Sequence, residues 1–163
     1  MIYLVIDGRE LMINENDSYD IKMFSTSITP KWYQLAIQTR TTGYKSININ
    51  NKQIYIHRLI YHAHNQDFDI FDISRNNLID HINCDRGDNN ISNLRVVTNQ
   101  QNQFNTRAKG YTWHKTNKKW KAQIQINTKR IHLGHFDTEE EARNAYLEAK
   151  KKYHIIPQLV SKS

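Results

Sequence analysis

Between residues 80 and 105 the chain reads DHINCDRGDNNISNLRVVTNQQNQFN, and no other stretch narrows the possible fold as much. An adjacent Asp80–His81 pair is followed by an Asn-rich loop that carries Asn93. A short apolar run, residues 94–97, comes next. Thr98, a residue type suited to capping a helix, then opens a polar segment that carries Asn102. Strands are expected over 79–82 and 94–98 and a helix over 99–105. The order strand, loop, strand, helix brings one carboxylate, one imidazole and the carboxamides onto a single small scaffold.

That set of groups suits a particular chemistry. Hydrolysing a phosphodiester requires a water that loses a proton as it attacks, neutralisation of the charge on phosphorus, and stabilisation of the leaving 3′ oxygen. His81 titrates near neutrality and is the natural general base. Asp80 and Asn102 offer hard oxygen ligands, which suit Mg²⁺ or Mn²⁺, with water and phosphate oxygens completing the shell. Asn93 is expected to tie the loop so that His81 keeps one tautomer and orientation. A calcium loop does not fit. Counting back from Gly87 puts Ile82 at the first ligand position, and the twelfth falls on Asn93 where Glu is required.

The rest of the composition limits the alternatives. At 163 residues there is room for one ordinary domain or two small ones. Apolar residues make up 38%, and the mean hydropathy is −0.79. No apolar run approaches the roughly 20 residues of a membrane span. The opening MIYLVIDGRE lacks the basic start and small-residue cleavage site of a signal peptide. The single Cys84 excludes an intramolecular disulfide and a cysteine-based structural zinc site. An intracellular protein with no small-molecule cofactor and no structural zinc is expected.

Charge divides the chain. Residues 1–106 hold 10 Lys/Arg and 11 Asp/Glu, whereas residues 107–153 hold 12 and 5. A compact basic part beside a near-neutral one points to a polyanion as the partner of the C-terminal part. In the near-neutral part, residues 2–6 and 32–37 read as short β pieces, and residues 1–40 carry no recognisable chemistry. Residues 43–56 read as a hairpin turning at Asn50-Asn51, since Asn tolerates the positive φ of such turns. Residues 57–64 read as a helix with Leu59, Ile60 and Ala63 inward. His57, His62 and His64 are expected at the surface or near DNA, because no carboxylate or Cys is spaced to complete a metal site.

Residues 56–63, IHRLIYHA, together with the run from Asp80 to Asn105, resemble the HNH homing endonucleases of phage introns and their free-standing relatives. The resemblance covers about residues 43–105. It implies His81 as the first motif residue, preceded by the metal ligand Asp80. It matches Asn93, twelve residues after His81, to the central loop-holding Asn, and Asn102 to the helix residue that coordinates the metal. The zinc-stapled members of that superfamily use Cys pairs, which this chain lacks.

After TRAKG, residues 106–110, three strand patterns follow over 111–115, 119–127 and 129–136, with turns at Asn117 and Asn127-Thr128. A helix then starts at a capping box formed by Thr138 and Glu141, with Ala142, Ala145, Tyr146, Ala149 and Tyr153 at helical spacing. Alternation places Lys121, Gln123 and Gln125 on one strand face, Arg130 and His132 on the next, and Thr112 and His114 on the first. One sheet face is therefore polar and basic and the other packs on the helix. Gln and Arg are side chains that read base edges, and a sheet can enter the major groove. Residues 109–153 resemble the Apetala2/ethylene-response-factor DNA-binding domain, most specifically over 133–142. In the plant members the reading positions fall on Thr112, His114, Gln123, Gln125, Arg130 and His132, and only Arg130 keeps an Arg. The resemblance thus implies the fold and double-stranded DNA as partner, but not the plant target sequence.

The expectation is an α+β chain. It comprises a ββα-metal HNH nuclease domain over 1–106, with its motif core over 55–105, and a three-stranded antiparallel sheet packed on one helix over 107–155. A metal-dependent endonuclease of homing or mobile-element type follows, monomeric and leaving 5′-phosphate and 3′-hydroxyl ends. The alternative is a sequence-specific DNA-binding regulator with a non-catalytic HNH half. RNA is disfavoured, because the sheet face has no row of aromatic residues for stacking bases.

Overall fold

The computed structural model describes residues 1–105, 109–126 and 129–156. The expected turn at Asn127-Thr128, residues 106–108 of the expected boundary, and the basic Lys162 lie outside these. The chain divides into two compact units, Met1–Val96 and Val97–Ser163. It is mixed α and β, with mostly antiparallel sheets. No helix among the described residues is long and apolar enough to cross a membrane.

The first unit begins with a four-stranded antiparallel sheet in chain order: β1 (Ile2–Ile6), β2 (Arg9–Asn14), β3 (Asp17–Ser25) and β4 (Lys31–Gln34). Asp7 and Gly8 both have positive φ, 51° and 74°, the backbone of a tight two-residue hairpin turn. Leu11, Ile13 and Ile21 alternate with exposed or half-buried neighbours and are fully buried, so one face of this sheet is core. A second sheet contains β5 (Gln38–Thr39), β6 (Lys45–Ile49) and β7 (Lys52–Tyr55). Its hairpin turns at Asn50 and Asn51, with φ of 48° and 64°, at the expected place. The two hairpin turns are tied together. Asn50 donates to the Asp7 carbonyl and carboxylate at 2.9 and 3.0 Å, and Lys52 pairs with Asp7 at 2.7 Å.

Helix α1 (Ile56–His64) closes the core. Every residue from Ile56 to Tyr61 is buried, including His57 and Arg58. Ile47, Ile49, Ile54, Ile56 and Leu59 join Leu11, Ile13 and Ile21 in one apolar cluster that also takes in Ile79 and Leu94. The first forty residues are thus the floor on which β8 (Leu78–His81) and β9 (Leu94–Val97) rest as a two-stranded sheet. Arg58 fixes the connection from α1 to β8. Its guanidinium donates to the carbonyls of Ile70, Asn77, Asp69 and Asp72 at 2.9, 2.8, 3.0 and 2.6 Å.

In the second unit, Thr98 and Gln101 form a capping box that starts α2 (Asn99–Phe104). Three antiparallel strands follow: β10 (Tyr111–His114), β11 (Lys119–Ile126) and β12 (Lys129–Phe136), in the order β10-β11-β12. Helix α3 (Glu139–Tyr153) carries the expected Thr138–Glu141 capping box. It has Glu139 to Glu141 at its positive end and Lys150 to Lys152 at its negative end. Its Ala142, Tyr146 and Ala149 are buried, with Tyr146 and Ala149 packed against Ile124 and flanked by Tyr111, Ile126 and Leu133. Gly110, at φ +72°, lies under the Tyr146 ring, and a Cβ there would come within 2.1 Å of it.

Replacing Arg58 by Met would leave four backbone carbonyls without their charged donor. Hydrogen bonds to charged groups contribute about 1.5–3 kcal/mol each. We expect Arg58→Met to destabilise the first unit by at least about 2 kcal/mol. Arg58→Lys should recover little, because an ammonium cannot span the four acceptors. Denaturant titration followed by circular dichroism measures both. A stability within error of the parent in either variant would show that these contacts contribute little.

Candidate functional site

Asp80 and His81 end β8 side by side and are 6% and 3% exposed. Burying a carboxylate is costly without a cation beside it. Arg95, on β9, supplies one, donating from Nε and Nη2 to Asp80 Oδ2 at 2.9 and 2.8 Å. The His81 ring lies 5.3 Å from His57, edge to face, and 5.9 Å from Tyr44. His57 is in turn stacked on Tyr55 at 5.5 Å and tilted against Tyr44 at 5.0 Å. Contrary to expectation, His57 is not a surface residue, because Tyr44, Tyr55 and His81 cover the side of α1 that periodicity would leave to solvent. Burial first, then the neighbouring His81 and Arg58, lower its pKa to about 3. His62 is half-buried with Nδ1 2.7 Å from the Phe68 carbonyl, and His64 is exposed.

Residues 82–93 form a loop closed on itself by Asx turns. Asp85, Gly87, Asn90 and Ser92 each donate their amide to the side-chain oxygen of the Asn or Asp two residues earlier, at 2.8–3.2 Å. Asn93 ties this loop from both ends. Its Oδ1 accepts from the Asn83 amide at 3.0 Å, and its Nδ2 donates to Asn83 Oδ1 at 3.1 Å and the Asp88 carbonyl at 2.8 Å. Its own carbonyl accepts from the Ile82 amide at 2.9 Å. The side chain bonded to His81 Nε2 is Asn89, whose Oδ1 lies at 3.1 Å. Sequence reasoning had given the orienting role to Asn93 and overlooked Asn89, one of several similar residues in an Asn-rich loop.

Asp80, His81 and Asn93 come together in the first unit. Asn102 is half-buried on α2 in the second unit, with its amide bonded to the Thr98 carbonyl at 2.9 Å. Among the described residues, no group of three or more His, Cys, Asp or Glu could hold a metal ion. The oxygen donors present, a carboxylate and a carboxamide, fit a hard divalent cation that takes most of its shell from water and phosphate.

In the second unit, directly paired residues share a sheet face. The register pairs Thr112 with Lys121 and Lys121 with His135, Gln123 with His132, Gln125 with Arg130, and His114 with Lys119. The seven expected residues, Thr112, His114, Lys121, Gln123, Gln125, Arg130 and His132, therefore fall on one face, all half-buried or exposed. His135 joins them, which strict alternation does not predict. A register shift between Ala122 and Gln123 sets Gly134 against Ala122 and inserts Leu133, turning the end of β12 over. The visible signal was Gly134 inside a strand, at φ +141°. His135 lies 4.7 Å from His132 and 5.4 Å from His114, ring to ring. Partial desolvation, then the charges of His132, His114, Lys121 and Lys119, lower its pKa.

His57 predicts a pH effect with a definite sign. Its pKa in the folded protein lies below the ordinary imidazole value, so the unfolded chain takes up the proton first. Stability is kept above about pH 6.5 and lost as pH falls from there towards about 3. We expect His57→Phe, which keeps an aromatic ring, to flatten the acid limb of the melting temperature–pH curve. An unchanged acid limb would show that His57 does not carry the linkage.

Two family models match the chain. Residues 73–104 match the HNH endonuclease model, and residues 106–155 match the AP2 domain model. No curated protein and no solved structure matches. HNH nucleases are generally dependent on a divalent metal. An HNH endonuclease segment followed by an AP2 DNA-binding domain is the architecture the sequence led us to expect, and it points to DNA as partner.

Proposed function

We propose that the chain is a metal-dependent DNA endonuclease of the HNH class, of homing or mobile-element type. Its cutting domain spans about residues 1–106 and its DNA-selecting domain about residues 107–155. The observation that carries this reading is the Asp80–His81 pair at the end of β8 beneath a loop tied by Asn93, within the segment that matches the HNH model. His81 accepts a proton from water as the hydroxide attacks phosphorus. The bond to the 3′ oxygen breaks, leaving 5′-phosphate and 3′-hydroxyl ends. Asp80 and Asn102 are the residues that would hold Mg²⁺ or Mn²⁺. When bound, such an ion neutralises charge on the scissile phosphate and on the leaving oxygen. Arg95 holds Asp80 Oδ2 in place and keeps the buried carboxylate ionised.

Burial favours a second reading. His81 is 3% exposed and Asp80 is held by Arg95, as in a site kept for structure alone. In that case the chain is a DNA-binding regulator. Plasmid nicking with and without Mg²⁺, followed by mapping of the cut, separates the two. Cleavage only with metal supports the nuclease, and its absence at all metal concentrations supports the regulator.

Under the nuclease reading, His81→Ala should lower the cleavage rate about 10²–10⁴-fold and leave DNA affinity nearly intact. Asp80→Asn and Asn102→Ala should both raise the Mg²⁺ concentration needed for half-maximal rate. If either titrates with metal like the parent, the ligand pair is wrong. A His81→Ala rate within about threefold of the parent would remove His81 from the chemistry.

The polar face of β10–β12 is proposed to read double-stranded DNA. Arg130→Ala and Gln123→Ala in the full chain should cost about 1–3 kcal/mol of discrimination between target and random duplexes. Lys118→Ala, in the turn, should weaken binding to both about equally. Phosphate contact would favour protonated His135, so affinity should rise as pH falls through its bound-state pKa, and His135→Gln should flatten that rise. Competition titrations across pH test all three variants. An unchanged specificity ratio in Arg130→Ala would remove this face from base reading.

A further inference from the structure

Tyr19 lies on β3, in the part of the chain where the sequence showed no chemistry, yet it reaches the site. Its ring sits against the core, with Lys45 Nζ 4.1 Å from the ring centroid. Its hydroxyl donates to the Gly87 carbonyl. The same hydroxyl oxygen accepts from Asn89 Nδ2 at 3.1 Å, and Asn89 Nδ2 also approaches the Gly87 carbonyl at 3.4 Å. Asn89 is 2% exposed, so its amide has little freedom to exchange these partners for water.

The Gly87 carbonyl settles which way the amide points. With the group reversed, Asn89 Oδ1 would face another carbonyl oxygen, and two acceptors would meet without a proton between them. The amide nitrogen therefore faces Tyr19 and Gly87, and Oδ1 faces His81 Nε2 at 3.1 Å. An oxygen acceptor requires a proton on that nitrogen, and in a neutral imidazole the lone pair is then on Nδ1. We propose that Tyr19 and Asn89 are positioning residues that fix His81 with its proton on Nε2 and present Nδ1 as the base that takes the proton from water. This rests on the reading of His81 as the general base. It assigns the first sheet a role in the chemistry beyond that of a floor, because the hydroxyl orienting Asn89 comes from β3.

The test uses the full-length chain labelled with ¹⁵N, with long-range ¹H–¹⁵N imidazole spectra of His81 recorded near pH 8. The parent should show the Nε2–H tautomer. Asn89→Leu, close to Asn in size but without an acceptor, should populate the Nδ1–H form. Asn89→Asp, which keeps an oxygen towards His81, should preserve Nε2–H. Tyr19→Phe keeps the ring in the core and should shift the population part of the way. In cleavage assays with Mg²⁺, Asn89→Leu should lower kcat on the order of 10²-fold with KM little changed, and Asn89→Asp should restore most of it. An Nδ1–H tautomer in the parent, or an Nε2–H tautomer that stays complete in both Asn89→Leu and Tyr19→Phe, overturns the proposal. If Asn89→Leu does not fold, the parent and Tyr19→Phe spectra decide. A parent with the Nε2–H tautomer that shifts in the variants, but with no cleavage under any metal condition, supports the positioning chain and overturns the nuclease reading instead.

Discussion

A carboxylate that is 6% exposed stays ionised only if a fixed cation stands beside it. At Asp80 that cation is Arg95, and much of the first unit can be read as the means of holding the pair. The pair spans β8 and β9, so the two strands must keep one register for the two N–H groups of Arg95 to reach Oδ2. Breaking such a pair from one side leaves an unpaired buried charge, which typically costs about 3–5 kcal/mol. Pairs of this kind add little net stability and instead favour one arrangement over its neighbours. In a small two-stranded sheet, that selection also determines where His81 sits.

Two strands with a polar end cannot form a core alone. Ile79 and Leu94 join the apolar cluster built by the first two sheets and α1, which supplies the burial that the motif lacks. Arg58 completes the support from the other side. Its guanidinium satisfies four carbonyls of a connection that has no regular structure of its own. The loop of residues 82–93 instead satisfies its amides with its own Asn and Asp side chains. The composition of that loop is therefore both turn chemistry and site chemistry.

The features legible in the sequence were those with local causes. The Asn50-Asn51 turn, both capping boxes and α3 are set by residues within a few positions of one another, and each lies where its residues indicated. The first sheet was only partly legible. Residues 2–6 are a strand, and β4 runs over Lys31–Gln34 rather than 32–37, but β2 and β3 went unread. A signal was present in Asp7-Gly8 between apolar runs, a pair suited to a tight hairpin. Arg95, Asn89 and Tyr19 were illegible for a different reason. What they do depends on partners 8 to 70 positions away, and no local period encodes such a pairing. Likewise, His57 reads as an outward helix residue until the opposite side of α1 is known to be covered.

The second unit shows how one irregularity changes a surface that alternation otherwise describes well. An uninterrupted β12 would place Arg130 and His132 outward and follow them with Gly134 and Phe136, ending the polar face in an aromatic ring. The inserted residue near Leu133 reverses the last two positions. His135 turns towards Lys121 and His114, while Phe136 pairs with Trp120. The polar face thereby keeps a cationic or titratable side chain along its whole length, and the apolar residues stay with α3. Three imidazoles and two ammonium groups at one end of that face repel one another whenever the imidazoles are charged, which is one reason the His135 pKa is lowered. A polyanion laid across the face would remove that repulsion. Free, the face lowers its own charge near neutrality, and a bound duplex would restore it. Its affinity for DNA is therefore coupled to proton uptake as well as to counterion release.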